Sequence, residues 1–234
     1  MKRLLLTAAT VITLGAGAAS GQTLASLNQQ GLDPASGKAP AQLVVFFHGY
    51  GQKGEAMKPL AAALAARLPD AAFVFNNAPL TQGNGFSWYD FAGEKAAATR
   101  QSAQETSAAL VASLSKTYKV SAQNIVTVGF SQGGGVAVMA GTCGGPDVKA
   151  IVSLAGVVPV ACNKEAAAPA SNVFIAWNEG DPTVKRERID AGIATMKTAG
   201  YEPALEVFQG TTHWPAEAGL KAAENFIVTQ LGGK

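Results

Sequence analysis

Short continuous apolar runs alternate along this chain with stretches of helical periodicity. Residues 43–47 (Leu-Val-Val-Phe-Phe) and 71–75 (Ala-Ala-Phe-Val-Phe) are uninterrupted rather than alternating, the pattern of strands buried on both faces. Further runs at 125–130, 150–154, 172–177 and 205–208 predict more strands. Between them, Met57, Leu60, Ala61, Leu64 and Leu68 recur at helical spacing, with Pro59 tolerated near the helix start. Ser107, Leu110, Val111, Leu114 and Tyr118 share one face of a long helix. Ile189, Ile193 and Met196 mark another, closed by Gly200, and Leu220, Ala223, Ile227 and Leu231 mark the last. Residues 82–90 read as a glycine-rich loop carrying aromatics. Strands alternating with helices predict an α/β fold: one domain with a mostly parallel central sheet and helices on both faces.

One strand changes character abruptly. The run from Ile125 reaches Gly129-Phe130-Ser131-Gln132-Gly133 and passes into the small residues that follow, so strand, sharp turn and helix meet at a serine. Gly-x-Ser-x-Gly in that setting is a nucleophile elbow. With 26 glycines in the chain the motif alone is weak, and its flanks carry the reading. A turn this tight leaves no room for side chains two before and two after the serine, hence Gly129 and Gly133.

The N-terminus has another pattern. Lys2 and Arg3 precede an apolar run, residues 4–14, and a small-residue stretch, which is the layout of a secretory signal peptide over residues 1–20 with cleavage near 19–21. The run is short for a membrane span, so no stable span is expected after leader removal. Residues 21–40 form a polar lead-in and 41–234 the folded domain. The expected location is secreted or periplasmic. The full chain has 18 basic and 16 acidic residues; without Lys2 and Arg3 the counts are equal, and no basic patch suggests nucleic acid. Cys143 and Cys162 are the two cysteines. An oxidising compartment favours their pairing. Topology tempers this, since Cys143 lies past the far end of the helix after the elbow and Cys162 beyond the near end of the next strand, and the balance stays with a bond.

A serine hydroxyl needs a base to act as a nucleophile. The chain offers two histidines. His48 leaves the first strand among glycines and reads as a residue that holds its loop by hydrogen bonding. His213, in the loop after the last strand, is the candidate base. Of the acids between Ser131 and His213, Glu179 and Asp181 occupy a loop directly after a buried strand. Asp181, stiffened by Pro182, is the better partner and Glu179 the reserve. An oxyanion would take the backbone N–H of Gln132 and, from the loop after the first strand, that of Tyr50. Tyr50, Trp88 and Trp214 are candidate apolar walls for an acyl group, or else loop anchors. No phosphate-binding loop or metal-ligand spacing occurs, so no cofactor is expected.

The pieces Leu43-Val44-Val45-Phe46-Phe47-His48-Gly49-Tyr50-Gly51, Asn77-Ala78-Pro79, Ser87-Trp88-Tyr89-Asp90, Gly129-Phe130-Ser131-Gln132-Gly133-Gly134, Gly180-Asp181-Pro182 and Gly210-Thr211-Thr212-His213 run in an order that resembles the phospholipase/carboxylesterase family of α/β-hydrolases, which includes bacterial carboxylesterases and acyl-protein thioesterases. The resemblance implies an α/β-hydrolase fold, a Ser131–Asp181–His213 triad, Tyr50 and Gln132 as the oxyanion hole, and a small acyl-ester substrate. It departs from the family at Trp177-Asn178-Glu179-Gly180-Asp181, where His-Gly-x-x-Asp is common, and at Trp214-Pro215. A carboxylesterase is expected. A thioesterase or lysophospholipase on the same triad, or a non-catalytic binding protein on the same fold, are the alternatives.

Overall fold

The computed structural model describes residues 29–156, 160–162 and 172–233; the leader expected at residues 1–20 lies outside them. In chain order the elements are β1 (Gly31–Leu32), β2 (Gln42–Phe47), α1 (Lys58–Ala65), β3 (Ala71–Val74), β4 (Leu80–Gln82), β5 (Gly85–Ser87), α2 (Ala96–Tyr118), β6 (Ile125–Phe130), α3 (Gln132–Thr142), β7 (Ala150–Leu154), β8 (Asn172–Asn178), α4 (Arg186–Thr198), β9 (Ala204–Phe208) and α5 (Glu217–Leu231). The main sheet runs β1-β3-β2-β6-β7-β8-β9 and is parallel apart from β1. Its central strands are buried along their length, as their unbroken apolar sequences require.

Strand register assigns the two faces. Val126, Val128 and Phe130 pair with Ala150, Val152 and Leu154, and these with Asn172, Phe174 and Ala176. Side chains alternate along a strand, so these even-numbered residues share one face. Phe174 stacks on Phe226 of α5, 5.1 Å between ring centroids, so this is the α5 face. The odd-numbered Thr127 donates its hydroxyl to the Ala137 carbonyl at 3.0 Å, which places α3 on the other. Helix α1 packs against α5, and α2 against α3.

Two segments differ from their sequence reading, and the cysteine pair follows it. The polar lead-in supplies β1, which pairs antiparallel with β3 through Gly31–Val74 and Leu32–Phe73. The loop at 82–90 begins as a hairpin: Leu80–Gln82 and Gly85–Ser87 pair antiparallel across Gly83 and Asn84. Cys143 and Cys162 form a disulfide, with Cα atoms 5.0 Å apart. The eleven residues of α3 rise about 16 Å. From Ala155 to Cys162 an extended chain can reach roughly 24 Å, enough to bring Cys162 back to the helix's far end. There its N–H donates to Thr142 Oγ1 at 3.4 Å.

Candidate active site

The elbow is assembled by steric exclusion. Ser131 stands at φ 54°, ψ −118°, a conformation an L-residue holds only when its surroundings impose it. A Cβ on Gly129 would overlap the Gly133 carbonyl, and one on Gly133 would overlap the Phe47 carbonyl on the neighbouring strand. Backbone therefore touches backbone at both places, and the Ser131 hydroxyl is carried above the sheet edge. Its N–H is held by the Leu154 carbonyl at 2.9 Å, and its own carbonyl accepts Gly134 N–H at 3.0 Å.

The structure brings Ser131, His213 and Asp181 into one line. The Ser131 hydroxyl donates to His213 Nε2 at 2.8 Å, and His213 Nδ1–H donates to Asp181 Oδ2 at 2.8 Å. Asp181 is 2% exposed, and its other oxygen accepts the N–H groups of Thr183 (2.7 Å) and Val184 (3.0 Å). Those bonds satisfy a buried carboxylate and aim it at the imidazole. Trp177 Nε1–H donates to the Val184 carbonyl at 2.8 Å and so holds the acid's loop. Glu179 instead accepts from Gln209 Nε2 at 2.8 Å on the surface.

The candidate oxyanion residues Gln132 and Tyr50 present their N–H groups in different ways. The N–H of Gln132 opens α3, where no carbonyl lies one turn behind to receive it. The Tyr50 N–H belongs to the Gly49–Tyr50 peptide, whose carbonyl is held from behind by His48. Nε2 of His48 accepts the Ala78 N–H at 3.0 Å, so Nδ1 carries the proton and donates to the Gly49 carbonyl at 2.8 Å. The peptide is trans and planar, so fixing its carbonyl inward turns its N–H outward. Burial pushes the His48 imidazole below its ordinary value, partly offset by the Gly49 bond.

The aromatic candidates separate. Trp88 is 5% exposed, packs edge-on to Phe47, and donates Nε1–H to the His48 carbonyl at 2.9 Å. It anchors a loop and offers little surface to a substrate, so of its two readings, pocket wall or loop anchor, the structure fits the second. Tyr50 is 44% exposed and lies against Phe91, ring centroids 5.3 Å apart. Trp214 is half-buried, packs on Phe130 at 4.6 Å, and lines a cavity.

Two side chains to which the sequence reading gives no role hold the site. Buried Asn178 donates from Nδ2 to the Thr212 and Trp214 carbonyls, both at 2.9 Å, and accepts Ala216 N–H at 3.1 Å. It pins the His213 loop on both sides. The Gln132 side chain, also buried, accepts Trp88 N–H at 2.9 Å and donates to the Tyr89 carbonyl at 2.7 Å. The residue after Ser131 thus ties down the 87–89 loop. A Gln or Asn beside a catalytic motif is the only sequence signal for either. Among the described residues, no group of three or more His, Cys, Asp or Glu could hold a metal.

A family model described as Phospholipase/Carboxylesterase matches residues 34–231. The chain belongs to this family. Its sheet and helices are those of an α/β-hydrolase, and membership makes it a hydrolase of the esterase and thioesterase group. It is 28% identical over 181 residues to acyl-protein thioesterase 1 of Mycosarcoma maydis, covering 67% of this chain and 75% of that protein. Among solved structures, esterase PE8 is 27% identical with a TM-score of 0.72, covering 87% of this chain and 98% of that one. The Bacillus cereus carboxylesterase shares the fold at 15% identity and a TM-score of 0.70, over 86% of this chain and 93% of that one.

Proposed function

We propose that the protein is a serine esterase that cleaves carboxylic esters through an acyl-enzyme on Ser131. The observation that carries this reading is the unbroken Ser131–His213–Asp181 hydrogen-bond line, which starts at an elbow residue of positive φ. His213 takes the Ser131 proton as Oγ attacks the carbonyl carbon, and Asp181 stabilises the imidazolium so formed. The Tyr50 and Gln132 N–H groups receive the oxyanion, each worth roughly a hundredfold to a thousandfold in rate. His213 then protonates the departing alcohol, activates water, and the acid is released.

Thioester cleavage is the second reading, supported by the likeness to an acyl-protein thioesterase. We further propose that the protein acts outside the cytoplasm. The leader pattern of residues 1–20 and the Cys143–Cys162 disulfide both suit an oxidising compartment. Among the described residues no helix is long and apolar enough to cross a membrane.

The test is covalent labelling with a fluorophosphonate, followed by peptide mass mapping. The reading expects one phosphonyl adduct, on Ser131, abolished in His213→Ala. Absence of an adduct, or an adduct elsewhere that persists in His213→Ala, would refute it.

A further inference from the structure

A cavity of about 350 Å³ lies at the seam of α1 and α5, walled by Ala56, Pro59, Leu60, Trp214 and Leu220. Its size is that of a small-ligand pocket. It borders the catalytic line without containing it. Phe130, immediately before Ser131, projects to the α5 face, as the strand register requires. Its ring lies 4.6 Å from that of Trp214 and 4.8 Å from that of His213. The same ring is what a Cβ on Gly49 would strike, so Phe130 fills the space between the Tyr50 loop and the His213 loop. Gln52, at the cavity's edge, accepts Gly49 N–H through Oε1 at 2.9 Å. The cavity therefore shares one wall with the histidine loop and one with the oxyanion loop.

Chemistry distinguishes the two sides of a bound ester. As Ser131 Oγ bonds to the acyl carbon and the bond to the alcohol oxygen breaks, His213 Nε2 passes the serine proton to that oxygen. The alcohol portion must then lie on the His213 side. We propose that the α1–α5 cavity is the subsite for the alcohol part of the substrate and that it selects apolar alcohols, aromatic or bulky alkyl. This rests on the serine esterase reading above. The lining is aliphatic apart from the Trp214 indole and the two polar groups at its edge. Of those, Gln52 is engaged by Gly49, and Glu224 by Lys221 Nζ at 3.2 Å. The rest of the wall presents apolar surface. Because the alcohol departs before the acyl-enzyme is hydrolysed, the cavity acts on acylation alone, and kcat/KM reports it.

The test compares kcat/KM for methyl acetate and 2-phenylethyl acetate, which leave the same acetyl-enzyme and whose alcohols are of similar acidity. Wild type is expected to prefer the phenylethyl ester. Filling the cavity with Leu220→Trp should reduce that preference by about tenfold or more, within the range that hydrophobic pockets discriminate. Ala56→Leu, at a half-buried position, should shift it in the same direction and serves if Leu220→Trp does not fold. Preference between methyl acetate and methyl butyrate, which varies only the acyl side, should not follow. The proposal is overturned if both variants leave the alcohol preference unchanged, or if they lower both acetates equally. Fluorophosphonate labelling run on the same samples separates the two claims. An unlabelled wild type removes the esterase reading and the subsite with it. A labelled wild type with unaltered alcohol preference in the variants removes the subsite alone.

Discussion

His48 Nδ1–H donates to the Gly49 carbonyl at 2.8 Å, and that bond sets which way the Tyr50 N–H points. The ring's other nitrogen is taken by Ala78, so His48 joins the loop after β2 to the loop after β3 without facing the solvent. Replacing it with alanine orphans one buried carbonyl and one buried N–H. His48→Ala should lower stability by about 2–5 kcal/mol and kcat by roughly tenfold to a hundredfold. Denaturant titration and ester hydrolysis check the two effects separately. The same bonds require a neutral ring, and burial holds its proton affinity below the ordinary value of 6.5. Unfolding then takes up a proton in acid. The stability from His48 is complete above the unfolded value and is lost as pH falls from there through the lowered folded value. From about pH 7.5 to about pH 5.5, wild type should lose more stability than His48→Gln.

Gly133 abuts the Phe47 carbonyl, and no flexible side chain stands there to give way. Gly133→Ala should cost about 4 kcal/mol or more, or prevent soluble expression. Gly144, at φ 73° with nothing within 4 Å of an added Cβ, is the control. Gly144→Ala pays backbone strain only, roughly 1–2 kcal/mol. Thermal unfolding of the pair separates overlap from strain, and equal losses would contradict the packing described.

Asp181→Asn keeps an oxygen for the Thr183 and Val184 N–H groups and presents an amide N–H to His213 in place of an acceptor. The imidazole must then turn or change tautomer. Activity should fall by about a thousandfold or more with the fold retained. Circular dichroism and kcat on one ester measure both halves. Glu179→Gln, altering a surface group bonded to Gln209, should stay close to wild type.

The Cys143–Cys162 disulfide spans a sequence separation of 19. On the loop-closure argument, the Cys143→Ala/Cys162→Ala double variant should lose about 3 kcal/mol. Urea titration of that variant beside the oxidised and reduced wild type is the measurement, with reduction expected to reproduce the double variant's loss.

Much of this organisation was legible in the chain because its signals are local. Uninterrupted apolar runs mark the strands of a sheet covered on both faces, and Ser131 and Asp181 each follow such a run, while His213 follows the edge strand β9, interrupted by Glu206. With two histidines to choose from, elimination reached the His213 side chain directly. What was not legible depends on direction or on distant partners. Nothing local tells that Trp88 turns into the core to reach the His48 carbonyl, or that the Gln132 amide spans to Tyr89. Strand β1, a Gly31-Leu32 pair, is too short to carry a period and exists through pairing with β3. The Gly83-Asn84 turn was a readable hairpin signal masked by the glycines around it. The disulfide follows the compartment argument rather than the topological one, since Cys162 lies at the far end of α3.

The most direct test of the Ser131 mechanism is hydrolysis of p-nitrophenyl acetate, butyrate and octanoate by wild type and Ser131→Ala, with both shown to be folded. Turnover by wild type and a fall of about a thousandfold or more in the variant is the predicted result. Equal hydrolysis by both proteins, or none by either on any of the three esters, would contradict it.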